Sequence, residues 1–194
     1  MIWLWLLNIN SIKYWMDVLV VSSFEAFVLC QREIGENQPL AGHKVLMIVE
    51  NLPVPFDRRV WMEARTLRQA GAEVSVICPI GKGFEAREEV IEGINVYRHP
   101  LPLDAKGAAG YLVEYVSALW HESRLAWRVL RRHGFDVIHG CNPPDLIFLV
   151  ALQFRLLGKR FIFDHHDINP ELYEAKFGRR DFFWRLMVLF ERLT

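Results

Sequence analysis

A chain of 194 residues that is 52% hydrophobic is long enough for one domain with a sizeable core and a tail. Lys plus Arg and Asp plus Glu each number 23, so the formal net charge is zero and nonspecific nucleic-acid binding has no electrostatic footing. The three cysteines, Cys30, Cys78 and Cys141, are far apart and odd in number, which fits a reducing compartment such as the cytosol better than a disulfide framework.

Residues 1–42 form an apolar extension and linker distinct from a folded domain over 43–194. Met1 to Leu7 and Val18 to Cys30 are apolar, but Lys13, Asp17 and Glu25 interrupt them, and no stretch reaches the roughly 18 uncharged residues of a spanning helix. No basic residue precedes Lys13, so a secretory signal is not supported. Trp3, Trp5 and Trp15 suit an interfacial helix at a membrane surface; packing on the domain, or an extension outside the fold, are the alternatives. Gln31 to Gly42 is polar and reads as a linker.

From His43 onward strands and helices alternate. Lys44 to Glu50 is a continuous apolar run, as expected of a strand buried on both faces. Val60, Trp61, Ala64 and Leu67 recur at helical spacing up to Gly71, with Asp57 as the helix cap. Glu73 to Pro79 and Gly93 to Arg98 read as the next strands, joined by a link too short for a long helix. Leu112, Val116, Leu119, Ala126 and Leu130 stripe a long helix that ends near Gly134. Phe135 to Gly140 is a further strand, Asn142-Pro-Pro-Asp145 opens a helix reaching Gly158, and Lys159 to Asp164 is the last strand. This pattern predicts an α/β fold, a Rossmann-like parallel sheet with helices on both faces. With strand order 3-2-1-4-5, Cys78 and Cys141 stand about 10 Å apart, beyond disulfide reach. Trp61, Trp120 and Trp127 are expected in the core or between helices, while the apolar run from Phe182 to Phe190 needs its own sheet, a partner domain or a membrane to cover it.

The loop Glu50 to Arg59 lacks Gly-x-Gly-x-x-Gly, which argues against an NAD enzyme. Arg58 and Arg59, in the first turn of a helix, can hold a phosphate or carboxylate, or remain solvated surface charges. Gly81-Lys82-Gly83 lacks the helix-opening pattern of a phosphate loop. The most chemical segment is Asp164-His-His-Asp-Ile-Asn-Pro-Glu171, where a buried strand opens onto the edge at which α/β sheets bind ligands. Histidine shuttles protons near neutrality and aspartate orients its imidazole. If the backbone is extended there, His165 and His166 face opposite ways, so one of them is structural. A metal centre and a simple turn at Asn169-Pro170 compete for these residues; adjacent histidines at a strand end chelate poorly.

The strand at Lys44, the segment Pro53-Val-Pro-Phe-Asp-Arg-Arg-Val-Trp-Met-Glu-Ala-Arg-Thr-Leu-Arg-Gln-Ala-Gly71, the strands Val74 to Pro79 and Phe135 to His139, and Asp164 to Glu171 together resemble the N-terminal domain of family 4 glycosyltransferases of the GT-B fold. The resemblance covers about residues 43–194 and implies the acceptor-side half of an enzyme that transfers a sugar, with retention, from a nucleotide-sugar co-substrate. It implies no metal and no other cofactor. His166 and Asp167 are then catalytic, and Asp164, Glu171, Asn51, Arg58, Arg59, His139 and Asn142 line the acceptor side. The partners implied are a donor-binding domain, in a continuation beyond Thr194 or a separate chain, and a sugar or lipid-linked acceptor. The place implied is the cytoplasm, or the inner face of its membrane. Many relatives carry a Gly-Gly pair after the first strand; here that loop holds Pro53 and Pro55. A non-catalytic assembly module and a metal-dependent hydrolase are the alternatives.

Overall fold

The computed structural model describes residues 38–100, 107–141, 145–165 and 169–193. The apolar extension before residue 38, and His166, Asp167 and Asn142, lie outside the described residues. Six strands form one sheet: β1 (Lys44–Val49), β2 (Glu73–Pro79), β3 (Glu88–Ile91), β4 (Ile94–His99), β5 (Val137–Cys141) and β6 (Arg160–Asp164), in the order β3-β4-β2-β1-β5-β6. Five of them are parallel in the predicted 3-2-1-4-5 order. Cys78 and Cys141 are free, as that order requires.

The sheet differs from expectation at one edge. β3 pairs antiparallel with β4 through the two-residue turn Glu92-Gly93, in which both residues have positive φ, 50° and 79°. That is the turn geometry matching the twist of a hairpin. The short link after β2 therefore carries an extra edge strand where a crossover helix would otherwise be. Glu88 and Glu89 at that edge are paired with arginines, Glu88 with Arg128 and Arg132 and Glu89 with Arg98, which blunts the edge against further pairing.

Helix α1 (Arg58–Gln69) covers one face of the sheet and α2 (Gly107–Arg132) the other. Asp57 caps α1 by accepting from the Val60 amide at 3.1 Å, as its position predicted. Val60, Trp61, Ala64 and Leu67 of α1 pack on Met47, Val49, Val76 and Val96. On the opposite face Leu125, Ala126 and Val129 of α2 meet Leu46, Ile48, Ile77 and Ile138. A short 3-10 turn (Asp145–Ile147) leads into α3 (Phe148–Arg155), which ends before Gly158 in a turn through Leu156 and Leu157. Phe154 of α3 is fully buried against Phe135 and Trp127, with ring centroids 5.2 and 4.9 Å away. Gly140 lets this layer close: a Cβ there would stand 2.9 Å from Ile147 Cγ2 and 3.1 Å from Phe161 Cε2.

Two expectations for α2 fail. Trp120 is 68% exposed and Val116 58% exposed, because the face of α2 that meets the sheet runs through Ala118, Glu122, Leu125, Ala126 and Val129, and residues 116 and 120 lie across the helix from it. Helices α4 (Asn169–Phe177) and α5 (Phe182–Leu193) follow β6 and pack on each other, joined by Asp181, which caps α5 through the Phe183 and Trp184 amides and accepts from the Tyr173 hydroxyl at 2.9 Å. Phe182 and Phe183 remain 71% and 52% exposed. Among the described residues no helix is long and apolar enough to cross a membrane. Gln38–Gly42 turns back onto the end of α1, where the Leu40 amide donates to the Ala70 carbonyl at 2.8 Å.

Candidate functional site

Strand parity decides what meets at the carboxyl edge. In β5, His139 and Cys141 are two residues apart and point to the α1 face; the register sets Cys141 beside Asp164, the last residue of β6. The first turns of α1 lie over this corner and contribute Arg59 and Glu63, four residues apart on one helix face. Their position depends on the loop after β1. The Arg98 side chain, fully buried, donates to the Val54 carbonyl at 2.6 Å and to Ala86 at 3.0 Å, and pairs with Glu89. A buried guanidinium bonded through both of its terminal nitrogens holds that loop and with it the start of α1.

The resulting cluster is tight. Arg59 Nη1 donates to Asp164 Oδ2 at 2.5 Å and stands 3.5 Å from Glu63 Oε1, while His139 Nε2 lies 4.0 Å from Asp164 Oδ2. Glu63, His139, Cys141 and Asp164 each offer a donor atom within 4.8 Å of the others. Burial and the neighbouring Asp164 lift the Glu63 pKa to about 7 against the opposing pull of Arg59. Burial also pushes the Cys141 thiol well above its ordinary range. Glu63 is thus a carboxyl able to carry a proton near neutrality, and His139 faces a carboxylate that can orient its ring.

The sequence-predicted residues separate. Arg59, His139 and Asp164 belong to this cluster. Asn51, Arg58 and Glu171 are exposed and lie outside its hydrogen bonds and ion pairs; Glu171 sits in the first turn of α4. His165 stacks on Phe163, 5.7 Å between centroids, and its Nε2 lies 3.9 Å from Glu191 of α5, so it serves the face opposite the cluster. The Gly81–Phe84 turn gives its Gly83 amide to Glu85 at 2.8 Å, so a carboxylate already holds the donor a phosphate would use. Glu63 and Cys141 were missed. Cys141 stands two residues from His139 on one face of β5, a spacing that could have found it, whereas Glu63 is brought in only by the crossover.

A second polar group lies on the α2 face of the same edge. His99 and Glu122 are completely buried, His99 Nε2 3.9 Å from Glu122 Oε1, too far for a hydrogen bond. Burial lowers His99 to about 4, and burial with the nearby Glu50 raises Glu122 well above the carboxylate range, so both are neutral at pH 7. At the opposite edge lies a depression lined by His43, Lys44, Arg68 and Glu73, where Lys44 pairs with Glu73 at 3.1 Å and donates to the His133 carbonyl at 2.5 Å.

In fold the chain is similar to the C-terminal domain (residues 78–226) of a hydrogenase from Pyrococcus furiosus, with a TM-score of 0.51 and 14% identity over 64% of this chain and 92% of that one. A shorter form of that domain (residues 83–215) gives 0.49. At such identity the likeness concerns the fold alone. No curated protein matches the chain. The family model for Glycosyltransferase Family 4 matches residues 56–194, from the start of α1 through the corner cluster to α5, and the chain belongs to that family.

Proposed function

We propose that this domain forms the acceptor-side wall of a GT-B cleft in a glycosyltransferase that moves a sugar, with retention, from a nucleotide-sugar. The observation that carries the reading is the corner of Arg59, Glu63, His139 and Asp164, in a domain of this family, at the sheet edge where α/β folds bind ligands. A departing nucleoside diphosphate leaves positive charge on the sugar carbon while the acceptor hydroxyl loses a proton. Asp164 supplies nearby negative charge, Glu63 a carboxyl that can take up a proton near neutrality, and His139 an imidazole suited to a hydroxyl hydrogen bond. His166 and Asp167, just beyond β6, are the proposed catalytic pair, with Asn51, Arg58, Glu171 and Asn142 around the acceptor. Donor contacts come from a second domain, in the same polypeptide or another chain, and the enzyme works in the cytoplasm or at the inner membrane face.

Saturation-transfer NMR with panels of free sugars, lipid-linked sugar analogues and nucleotide-sugars tests this division. A sugar or lipid-linked compound should bind the domain and be weakened at least about 10-fold by Asp164→Asn, since a charge-assisted hydrogen bond is worth roughly 1.5–3 kcal/mol. Binding of nucleotide-sugars alone, unaffected by Asp164→Asn, would reverse the assignment. A second reading, an assembly module, is favoured by Phe182, Phe183 and Leu189, 49% or more exposed on α5. It predicts partner or vesicle capture without sugar transfer when a donor domain is supplied.

A further inference from the structure

We propose that Glu63, His139, Cys141 and Asp164 form a binding site for one zinc-class divalent ion that fastens the start of α1 to the carboxyl ends of β5 and β6. The inference concerns the same corner as the proposed function, but it is read by ion binding, which needs neither sugar nor acceptor.

The geometry is that of a site assembled from three rigid elements. Two ligands, His139 and Cys141, alternate on one face of β5; the third, Asp164, is the cross-strand neighbour of Cys141; the fourth, Glu63, comes from α1 above them. Their donor atoms lie within 4.8 Å of one another. Bonds of about 2.0–2.3 Å in a tetrahedron place ligand atoms roughly 3.3–3.8 Å apart, so closing on an ion asks for about 1 Å of movement. Glu63 and Asp164 are the side chains able to make it, being a third exposed and longer or terminal on their strand. The donor set of one sulfur, one imidazole nitrogen and two carboxylates favours zinc over magnesium or calcium, which prefer oxygen alone.

Two further observations suit a cation at this corner. Glu63 Oε2 is buried without a hydrogen-bond partner among the described residues, and the Cys141 sulfur is fully buried in no disulfide beside two carboxylates. Arg59 now supplies the positive charge at this corner. An ion would release it, and with His139 and Asp164 ligated the acceptor contacts would fall to Arg59, Arg58 and Asn51 at the rim.

Cobalt(II) titration of the full chain, followed by absorption, tests the site, because thiolate ligation gives an intense charge-transfer band and tetrahedral geometry intense visible bands. The expected result is one cobalt per chain, a thiolate band retained in Cys78→Ser and lost in Cys141→Ser, and displacement of cobalt by zinc. Should Cys141→Ser fail to fold, Asp164→Asn must weaken binding at least about 10-fold with its circular dichroism unchanged. Binding without a thiolate band, a band that survives Cys141→Ser, unweakened binding in Asp164→Asn, or no stoichiometric metal would each overturn the proposal.

Discussion

Glu63 shows at the scale of a single residue how a fold manufactures chemistry from an ordinary surface carboxylate. On an isolated helix its neighbour Arg59, one turn earlier, would keep it ionised. Here burial and Asp164 outweigh Arg59 and lift its pKa from 4.5 to about 7. The folded state then holds the proton more tightly than the unfolded chain, so the contribution of Glu63 to stability is complete below pH 4.5 and lost as pH rises through about 7. Glu63→Gln should remove that loss. In urea unfolding the variant gains on the parent between those two pH values and the difference is flat above them; a difference independent of pH would mean that folding leaves the Glu63 pKa unchanged. Glu122 has the same sign for a plainer reason, complete burial beside Glu50. Glu122→Gln keeps its shape and should raise the melting temperature at pH 8 more than at pH 5.

Among the elements, α1 and β5 carry most of the positional information. Asp57→Ala should cost about 1 kcal/mol, the worth of a helix cap, and should also loosen the Arg59–Asp164 contact that α1 delivers. Equilibrium denaturation reads the first effect and the chemical shift of the Asp164 carboxylate the second. On the other face Phe154→Ala should cost about 3–5 kcal/mol, since the ring is fully buried between Phe135 and Trp127 and α3 is too short to collapse around the cavity. A loss below 1 kcal/mol would show that α3 is not seated as described. The parallel core elements were legible in the sequence because each has a strong period. A continuous apolar run gave β1, Val60, Trp61, Ala64 and Leu67 gave α1, and short strand-like segments alternating with helices gave β2 and β5. Strand β3 was not legible, because Glu88 and Glu89 hide a four-residue strand whose only signals are alternate burial and the Glu92-Gly93 turn. The exposure of Trp120 was equally hidden, since the buried face of α2 includes the polar Glu122, which a hydrophobic stripe does not mark.

For the whole molecule, opposed buried groups set the pH profile. His99, lowered from 6.5 to about 4 by burial, contributes fully above pH 6.5, and that contribution is lost as pH falls through about 4. Glu63 and Glu122 act in the other direction. Stability should therefore peak on the acid side of neutrality, in the interval where His99 is still mostly neutral and the two carboxyls still mostly protonated. The candidate site was only half legible at this scale. Asp164 and His139 announced themselves as polar residues ending apolar strands, and Arg59 as a cation in the first turn of a helix. Glu63 joins them through the crossover from β1 to α1, which no local spacing encodes, and Cys141 through its i, i+2 spacing from His139 and the pairing of β5 with β6.

The most direct test of the central claim is sugar transfer by this domain joined to, or mixed with, a donor-binding domain, with product identified by mass spectrometry. Transfer with retained anomeric configuration that falls at least about 10²-fold in His166→Ala while the fold is unchanged is the predicted result. Undiminished transfer by His166→Ala, or no transfer from any nucleotide-sugar, would contradict it.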